Sequence, residues 1–383
     1  MKKLLFINFI KDVLKLFLII GVSLGTIIWI MQAVNFLKFV TEDGHNLQVY
    51  FSYTLLNFPK IIHRIIPFIF FIALFQQISN YENRNELLIF WTHGINKIQF
   101  VNVVILFSLI IGFFQILLGS YISPLGQKEA RKFLKESNID YFPSLIKEGK
   151  FIDTVSNLTI FIDTQDENGI YKNIFIKEQF KNENKTLEDD TEFKSQIIYA
   201  NKGILINQQN RRYFKLFEGK FINNNNGKVS NFSFDQIDFD LSKYVSKTTT
   251  HPKVQETKSL LLLRCLKTFF KDNKNFKEGY FICDKRSISA VKQEFFKRFY
   301  QPIYIPLVAL ICCLLIFKSK ESHNFRSFKI VLLLINFFIL IISETFLRYS
   351  GYSEIGLLIF ILFPLFFFLL FYFSLIVKLK YKS

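Results

Sequence analysis

Long apolar runs crowd both ends of the chain, and between them lies a polar middle whose apolar residues mostly come two apart. A hydrocarbon core about 30 Å thick takes roughly 20 apolar residues in a helix. By that measure six runs qualify: Val13 to Val34, Phe58 to Ile78, Ile98 to Tyr121, Pro302 to Phe317, Ile330 to Phe346 and Gly356 to Val377. The first follows "MKK", yet it is too long for a signal-peptide core, contains Lys15 and lacks a small-x-small cleavage site. It is expected to stay as a transmembrane helix. Pro67 is expected to kink the second run, and Gly21 and Gly25 in "GVSLG" suit a close helix approach in the first.

The middle predicts strands at Asn157–Thr164, Lys172–Gln179, Ser195–Gln208, Tyr213–Asn223 and Ser230–Leu241, bounded by turn residues. In the last of these, Phe232, Phe234, Ile237 and Phe239 alternate with one shift of register. Short strands at this spacing suit a sandwich, a jelly roll or an open barrel. Two amphipathic helices follow, Thr257–Lys271 and Ser289–Pro302. The expected fold class is therefore an α-helical integral membrane protein with six transmembrane helices, three before and three after an inserted all-β, jelly-roll-like domain. The expected divisions are 1–126, 127–287 and 288–383, with a short helix at 83–94 inside the first.

Charge fixes the orientation. Short loops on one side hold about twelve Lys and Arg and those on the other about two, so both termini are placed inside and the β-domain outside, in a bacterial periplasm. The net charge of +17 would also suit nucleic acid, but no stacked-aromatic basic motif or recognition-helix pattern accompanies it, and nucleic acid is not expected as a partner. Four cysteines give no metal spacing. A disulfide between Cys265 and Cys283 is open to them in an oxidising compartment, but free, small apolar side chains are the expectation. There is no phosphate-binding loop, H-E-x-x-H or G-x-S-x-G, so the chain is not expected to be an enzyme. His63 is expected to be a hydrated interfacial residue.

The stretch "YENRNELLIFWTHGINK" between the second and third runs is half apolar where a polar turn would do. Leu87 and Trp91 fall four apart with Leu88 beside them, Glu86 opens the segment, and Gly94 can stop it with φ > 0. At the outer ends of the runs, Lys60 and Arg64 share a helix face, as do Glu344 and Arg348; Lys38 ends the first run. Cationic groups at headgroup depth pair with phosphates through charge-assisted hydrogen bonds, although snorkelling Lys and Arg are ordinary at interfaces and Glu344 can simply neutralise Arg348. Glu294 and Arg298 are read as a structural ion pair.

Taken in order, several segments resemble the LptF/LptG permeases, the transmembrane subunits of the lipopolysaccharide exporter. They are "WIMQAVNFLKFV", "FPKIIHRIIPFIFFIALF" with its two prolines, "NELLIFWTHGINKIQF", "LFEGKF" and "QEFFKRFYQPIYIPLVAL". The chain looks closer to the LptF half. The resemblance implies that Glu86, Leu87, Leu88, Trp91 and Gly94 form a coupling helix seated in a groove of a separate cytoplasmic ATPase dimer, which alone binds ATP and Mg. It further implies a homologous permease as heterodimer partner, a periplasmic jelly-roll bridge protein and lipopolysaccharide as cargo, met by Lys38, Lys60, Arg64 and Arg348. The alternatives are an anchored periplasmic receptor or scaffold with no transport role, and a permease for another lipid or for lipoproteins.

Overall fold

The computed structural model of the protein describes residues 2–37, 40, 47–136, 148–155, 157–166, 169–180, 194–208, 211–225, 228–241, 253–272, 276–278, 281–284 and 286–380. Lys38 and the polar insertion 181–193 lie outside the described residues. Among the described residues six helices are long and apolar enough to cross a membrane: Lys2–Phe36, Leu47–Asn83, Lys97–Leu134, Ile288–Phe317, Phe325–Tyr349 and Glu354–Val377. Each expected run lies on one of them, and an antiparallel β-region comes between the third and fourth in the sequence.

In chain order the helices are α1 (Lys2–Phe36), α2 (Leu47–Leu56), α3 (Phe58–Asn83), α4 (Glu86–Thr92), α5 (Lys97–Leu117), α6 (Ser123–Glu136), α7 (Ser259–Asp272), α8 (Ile288–Phe299), α9 (Tyr304–Cys313), α10 (Phe325–Tyr349) and α11 (Glu354–Lys380). The chain divides into two units by contact: Met1–Ala33, Thr54–Ala130 and His251–Ser383 form one, Val34–Tyr53 and Arg131–Thr250 the other.

In the helical unit α9 is apolar all round, and all its residues are buried between α3, α5, α10 and α11. A helix without a polar face belongs in the centre of a bundle. By contrast α1 and α11 leave long apolar faces open, including Leu18, Val22, Met31, Phe366 and Phe373. At 35 residues, α1 is about 52 Å long, well beyond the hydrocarbon core. Its first turns are helical because lysine is a good helix former, even though Lys2, Lys3 and Lys11 keep them out of the apolar run. Along its length Gly21 and Gly25 lie against Ile69 and Ile62 of α3, so the glycines serve packing within this chain.

Pro67 lies in the interior of α3 and Pro364 in the interior of α11. Each lacks an N–H, so the carbonyl four residues earlier loses its intrahelical donor, and lipid offers no replacement. A neighbouring span supplies one each time. Gln115 Nε2 donates to the His63 carbonyl (3.0 Å), and the Tyr304 hydroxyl donates to the Phe360 carbonyl (2.9 Å). His63 is thus buried rather than hydrated: its ring Nδ1 meets the Gln115 carbonyl at 3.1 Å. Helix α5 widens into a π-turn at Leu118–Ile122, where a Cβ on Gly119 would fall 2.3 Å from the His63 ring.

Next to this bundle, Cys265 of α7 is disulfide-bonded to Cys283, with Cα atoms 6.0 Å apart. This corrects the expectation of free thiols. Spacing alone could not reveal it, because the short hairpin β7 (Phe276–Glu278) and β8 (Phe281–Cys283) returns the chain to α7. Both sulfurs are buried in a small core with Leu262, Leu266, Phe281 and Val291. After β8, the Ser287 backbone N–H and hydroxyl hold the Asp284 carboxyl below the usual carboxylate range. In a Cys312→Ala/Cys313→Ala background, a maleimide reagent is expected to label the denatured protein only after reduction. Labelling of unreduced protein would refute the bond.

The other unit carries β1 (Lys150–Val155), β2 (Leu158–Gln165), β3 (Ile170–Phe180), β4 (Lys194–Gln208), β5 (Arg211–Asn225) and β6 (Lys228–Asp240). They form one antiparallel meander in sequence order, and no Greek-key crossing occurs among the described strands. One face is apolar, built on Ile160, Ile162, Ile174, Ile198, Phe214 and Leu216. Positions 163, 173, 201, 218 and 235 fall on a single transverse row where regular pairing is interrupted. Asn173 and Glu218 on that row have φ of 50°, and alternation slips by one residue there. Ile174 is buried on one side of the slip in β3 and Tyr171 on the other, so the same face stays apolar throughout.

Candidate functional site

Helix α4 has sharply defined ends. Asn85 enters it at φ 60°, a left-handed conformation that Asn tolerates. Glu86 occupies the first turn, where a carboxylate suits the helix dipole. At the far end Gly94 has φ 68°; its N–H donates to the Trp91 carbonyl and that of Ile95 to the Phe90 carbonyl, both at 3.0 Å. That paired arrangement closes a helix C-terminus and needs a residue free to adopt φ > 0.

The faces of α4 differ from those expected. Leu87 and Phe90 turn into the bundle at 2% exposure each, while Leu88 and Ile89 are 55% and 44% exposed. Trp91 is half-buried against Phe90 and Phe100, with Lys97 Nζ 5.7 Å from its ring centre. Leu87 therefore anchors the helix, and the apolar edge offered outward is Leu88–Ile89. Beside it Arg84 and Glu86 approach to 3.8 Å. Helix α4 is also held through its neighbours: Lys2 Nζ donates to the Gly94 carbonyl (2.9 Å), and Lys320 reaches the Glu82 side chain through its N–H (2.9 Å) and the Asn83 carbonyl through Nζ (3.0 Å).

At the opposite end of the bundle, Arg64 of α3 pairs with Glu344 of α10 at 2.7 Å. The second Glu344 oxygen accepts from Gln301 Nε2 at 3.0 Å. Glu344 thus joins three segments instead of neutralising Arg348 one turn along. Arg348 is exposed and lines a groove of about 560 Å³ with Phe68, Ile341, Tyr349 and Tyr352. Lys60 is half-buried within electrostatic reach of Glu294 and Lys297, so it and Arg64 serve different neighbours. Arg64 and Arg348 flank Glu344; Lys60 does not join them, and Lys38 lies outside the described residues.

A family model for the lipopolysaccharide export system permease LptF/LptG matches residues 9–378. The chain belongs to the LptF/LptG permease family. It is also similar to the "Uncharacterized protein RP871" of Rickettsia prowazekii (strain Madrid E), 27% identical over 242 residues, which cover 63% of this chain and 64% of that one. The chain therefore spans just under two thirds of that relative's length.

In this LptF/LptG-family chain sequence reasoning missed Ile89 and Phe90 on α4, Gln301 beside Glu344, and Gln115 beside His63. The first two were hidden because residues 87–91 are all apolar, so a two-turn helix shows no periodicity. The prolines were the available signal for Gln115: a span with an interior Pro calls for a donor on its neighbour. Among the described residues no group of three or more His, Cys, Asp or Glu could hold a metal ion.

Proposed function

We propose that the chain is a transmembrane subunit of an exporter that draws lipopolysaccharide from the bacterial inner membrane, powered by a separate cytoplasmic ATPase. Family membership supports the permease role. The observation that carries the coupling is α4: a short helix closed at Gly94, at the bundle end opposite Arg64 and Glu344, that turns Leu88 and Ile89 outward beside Glu86. An apolar helical edge with a flanking charge suits a groove on a partner. The open apolar faces of α1 and α11 suit a homologous permease as second wall. Arg64 and Arg348 supply cations for headgroup phosphates. The Cys265–Cys283 bond supports an oxidising side, hence the periplasm, for the insertion. A jelly-roll bridge would then take the lipid by pairing with a sheet edge.

The experiment is co-purification of the ATPase with Leu88→Asp/Ile89→Asp, or with Glu86→Arg. Interface hot spots are worth about 2 kcal/mol or more, so retention is expected to fall at least about tenfold. Leu87→Asp is a poor probe because Leu87 is buried in the bundle. Full retention of the ATPase by both variants would refute the coupling role.

A further inference from the structure

Resting on that reading, we infer that α4 and the first turns of α1 move as one body, and that the Asp12–Tyr81 pair transmits the ATPase stroke into span one. The contacts run in an unbroken set. Phe6 meets Phe90 of α4 edge-on at 5.6 Å. Phe9 meets Tyr81 of α3 at 5.2 Å and Phe100 of α5 at 5.0 Å, and Phe90 meets Phe100 at 5.5 Å. The Tyr81 hydroxyl donates to Asp12 Oδ2 at 2.6 Å, and Lys2 Nζ closes the far side on the Gly94 carbonyl.

Phe9 and Val13 are wholly buried there, yet beyond Val13 the only buried residue of α1 is Gly25. Leu14 and Phe17 are half-buried against the core. Beyond them α1 meets α3 at Gly21 and Gly25, which present no side chain to interlock, and Trp29 Nε1 donates to the Thr54 carbonyl of α2 at 3.2 Å. A long rigid helix gripped by aromatic side chains at one end, and resting on glycine further along, is a lever. Displacing α4 pulls on the gripped end, and the outer part of α1 swings over the glycine edge against the Trp29–Thr54 hydrogen bond. Asp12 is the carboxylate that α1 brings to that grip. Its bond to Tyr81 sets the rotation of α1 about its own axis, which ring packing alone leaves loose. Asp12 and Tyr81 are positioning residues; they touch neither nucleotide nor lipid.

The test uses the full complex reconstituted in vesicles, with Tyr81→Phe and Asp12→Asn. Tyr81→Phe keeps the ring against Phe9 and removes only the hydroxyl. A hydrogen bond to a charged group is strong enough that lipid released per ATP hydrolysed is expected to fall about tenfold, while ATPase co-purification and ATP turnover stay at wild-type values. Unchanged lipid release per ATP overturns the inference. So does loss of the ATPase from Tyr81→Phe, since the pair would then shape α4 rather than transmit from it. Spin labels at the exposed Leu4 and Thr92 give the second arm. Their separation is expected to stay constant between nucleotide-free and ATP-bound states, and a change overturns the inference. If Leu88→Asp/Ile89→Asp retains the ATPase, the coupling role of α4 fails instead, and the label distance in the isolated chain still reports whether the two segments are joined.

Discussion

Replacing Arg298 with Leu is expected to destabilise the protein by about 3–5 kcal/mol, the usual cost of removing one partner from a buried ion pair. Arg298 is 1% exposed, and four contacts satisfy its guanidinium. Nε donates to Glu294 (3.0 Å), Nη1 to the Thr257 carbonyl and Ser259 Oγ (both 2.9 Å), and Nη2 to the Gln255 carbonyl (2.8 Å). Ser259 in turn donates to the Ser120 carbonyl at 2.7 Å. One side chain thus ties α8 to the start of α7 and, through Ser259, to the end of α5. Leucine fills similar space but leaves two carbonyls without donors and the Glu294 carboxylate with Lys297 alone, 3.5 Å from its second oxygen. Lysine cannot reach all of them with one ammonium, so Arg298→Lys is expected to recover only part of the loss. Adding Glu294→Leu to Arg298→Leu takes the partner from Lys297 as well, so the double variant is expected to be no milder than Arg298→Leu alone. Chemical unfolding of the detergent-solubilised protein measures all three. A loss under about 1 kcal/mol for Arg298→Leu would place the network among ordinary surface ion pairs.

That network marks the limit of what the sequence discloses. The i, i+4 spacing of Glu294 and Arg298 was readable, because helix geometry makes it local. The carbonyls at Gln255 and Thr257 were not, since only the fold brings them near. Glu344 teaches the same lesson in reverse. Its local partner Arg348 was the natural expectation, and the structure sends it to Arg64, 280 positions away. The spans were legible because hydrocarbon thickness fixes their length, although the α1 start was not, its lysines breaking the apolar run while the helix continued. In the β-unit, the shift expected between Phe234 and Ile237 falls on Asp235, in the transverse row shared with Asn173 and Glu218. Strand β1 and the β7–β8 hairpin escaped notice because they are short. On α4 the expected and observed faces differ by one residue, which moves Leu87 inward and leaves Ile89 as the neighbour of Leu88.

The prolines give the second large effect, and a double-mutant design isolates it. In α11 Pro364 cannot donate to the Phe360 carbonyl, and the Tyr304 hydroxyl does so from α9. Tyr304→Phe is therefore expected to cost about 1–3 kcal/mol, the penalty for stranding a buried acceptor. In a Pro364→Ala background the helix supplies its own N–H to that carbonyl, and the same Tyr304→Phe change is expected to cost about 0.5 kcal/mol or less. The difference between backgrounds is the coupling energy of proline and tyrosine, free of the packing both variants share. Pro67 and Gln115 form the matching pair between α3 and α5, so Gln115→Leu is expected to cost more in the wild-type chain than in a Pro67→Ala background. Equal costs in both backgrounds would mean that the tyrosine and glutamine act through packing alone. Unequal costs would show how a span accommodates an interior proline: the carbonyl each one frees is a polar socket in an apolar medium. A donor on the facing helix then fixes the rotation and depth at which the two spans meet.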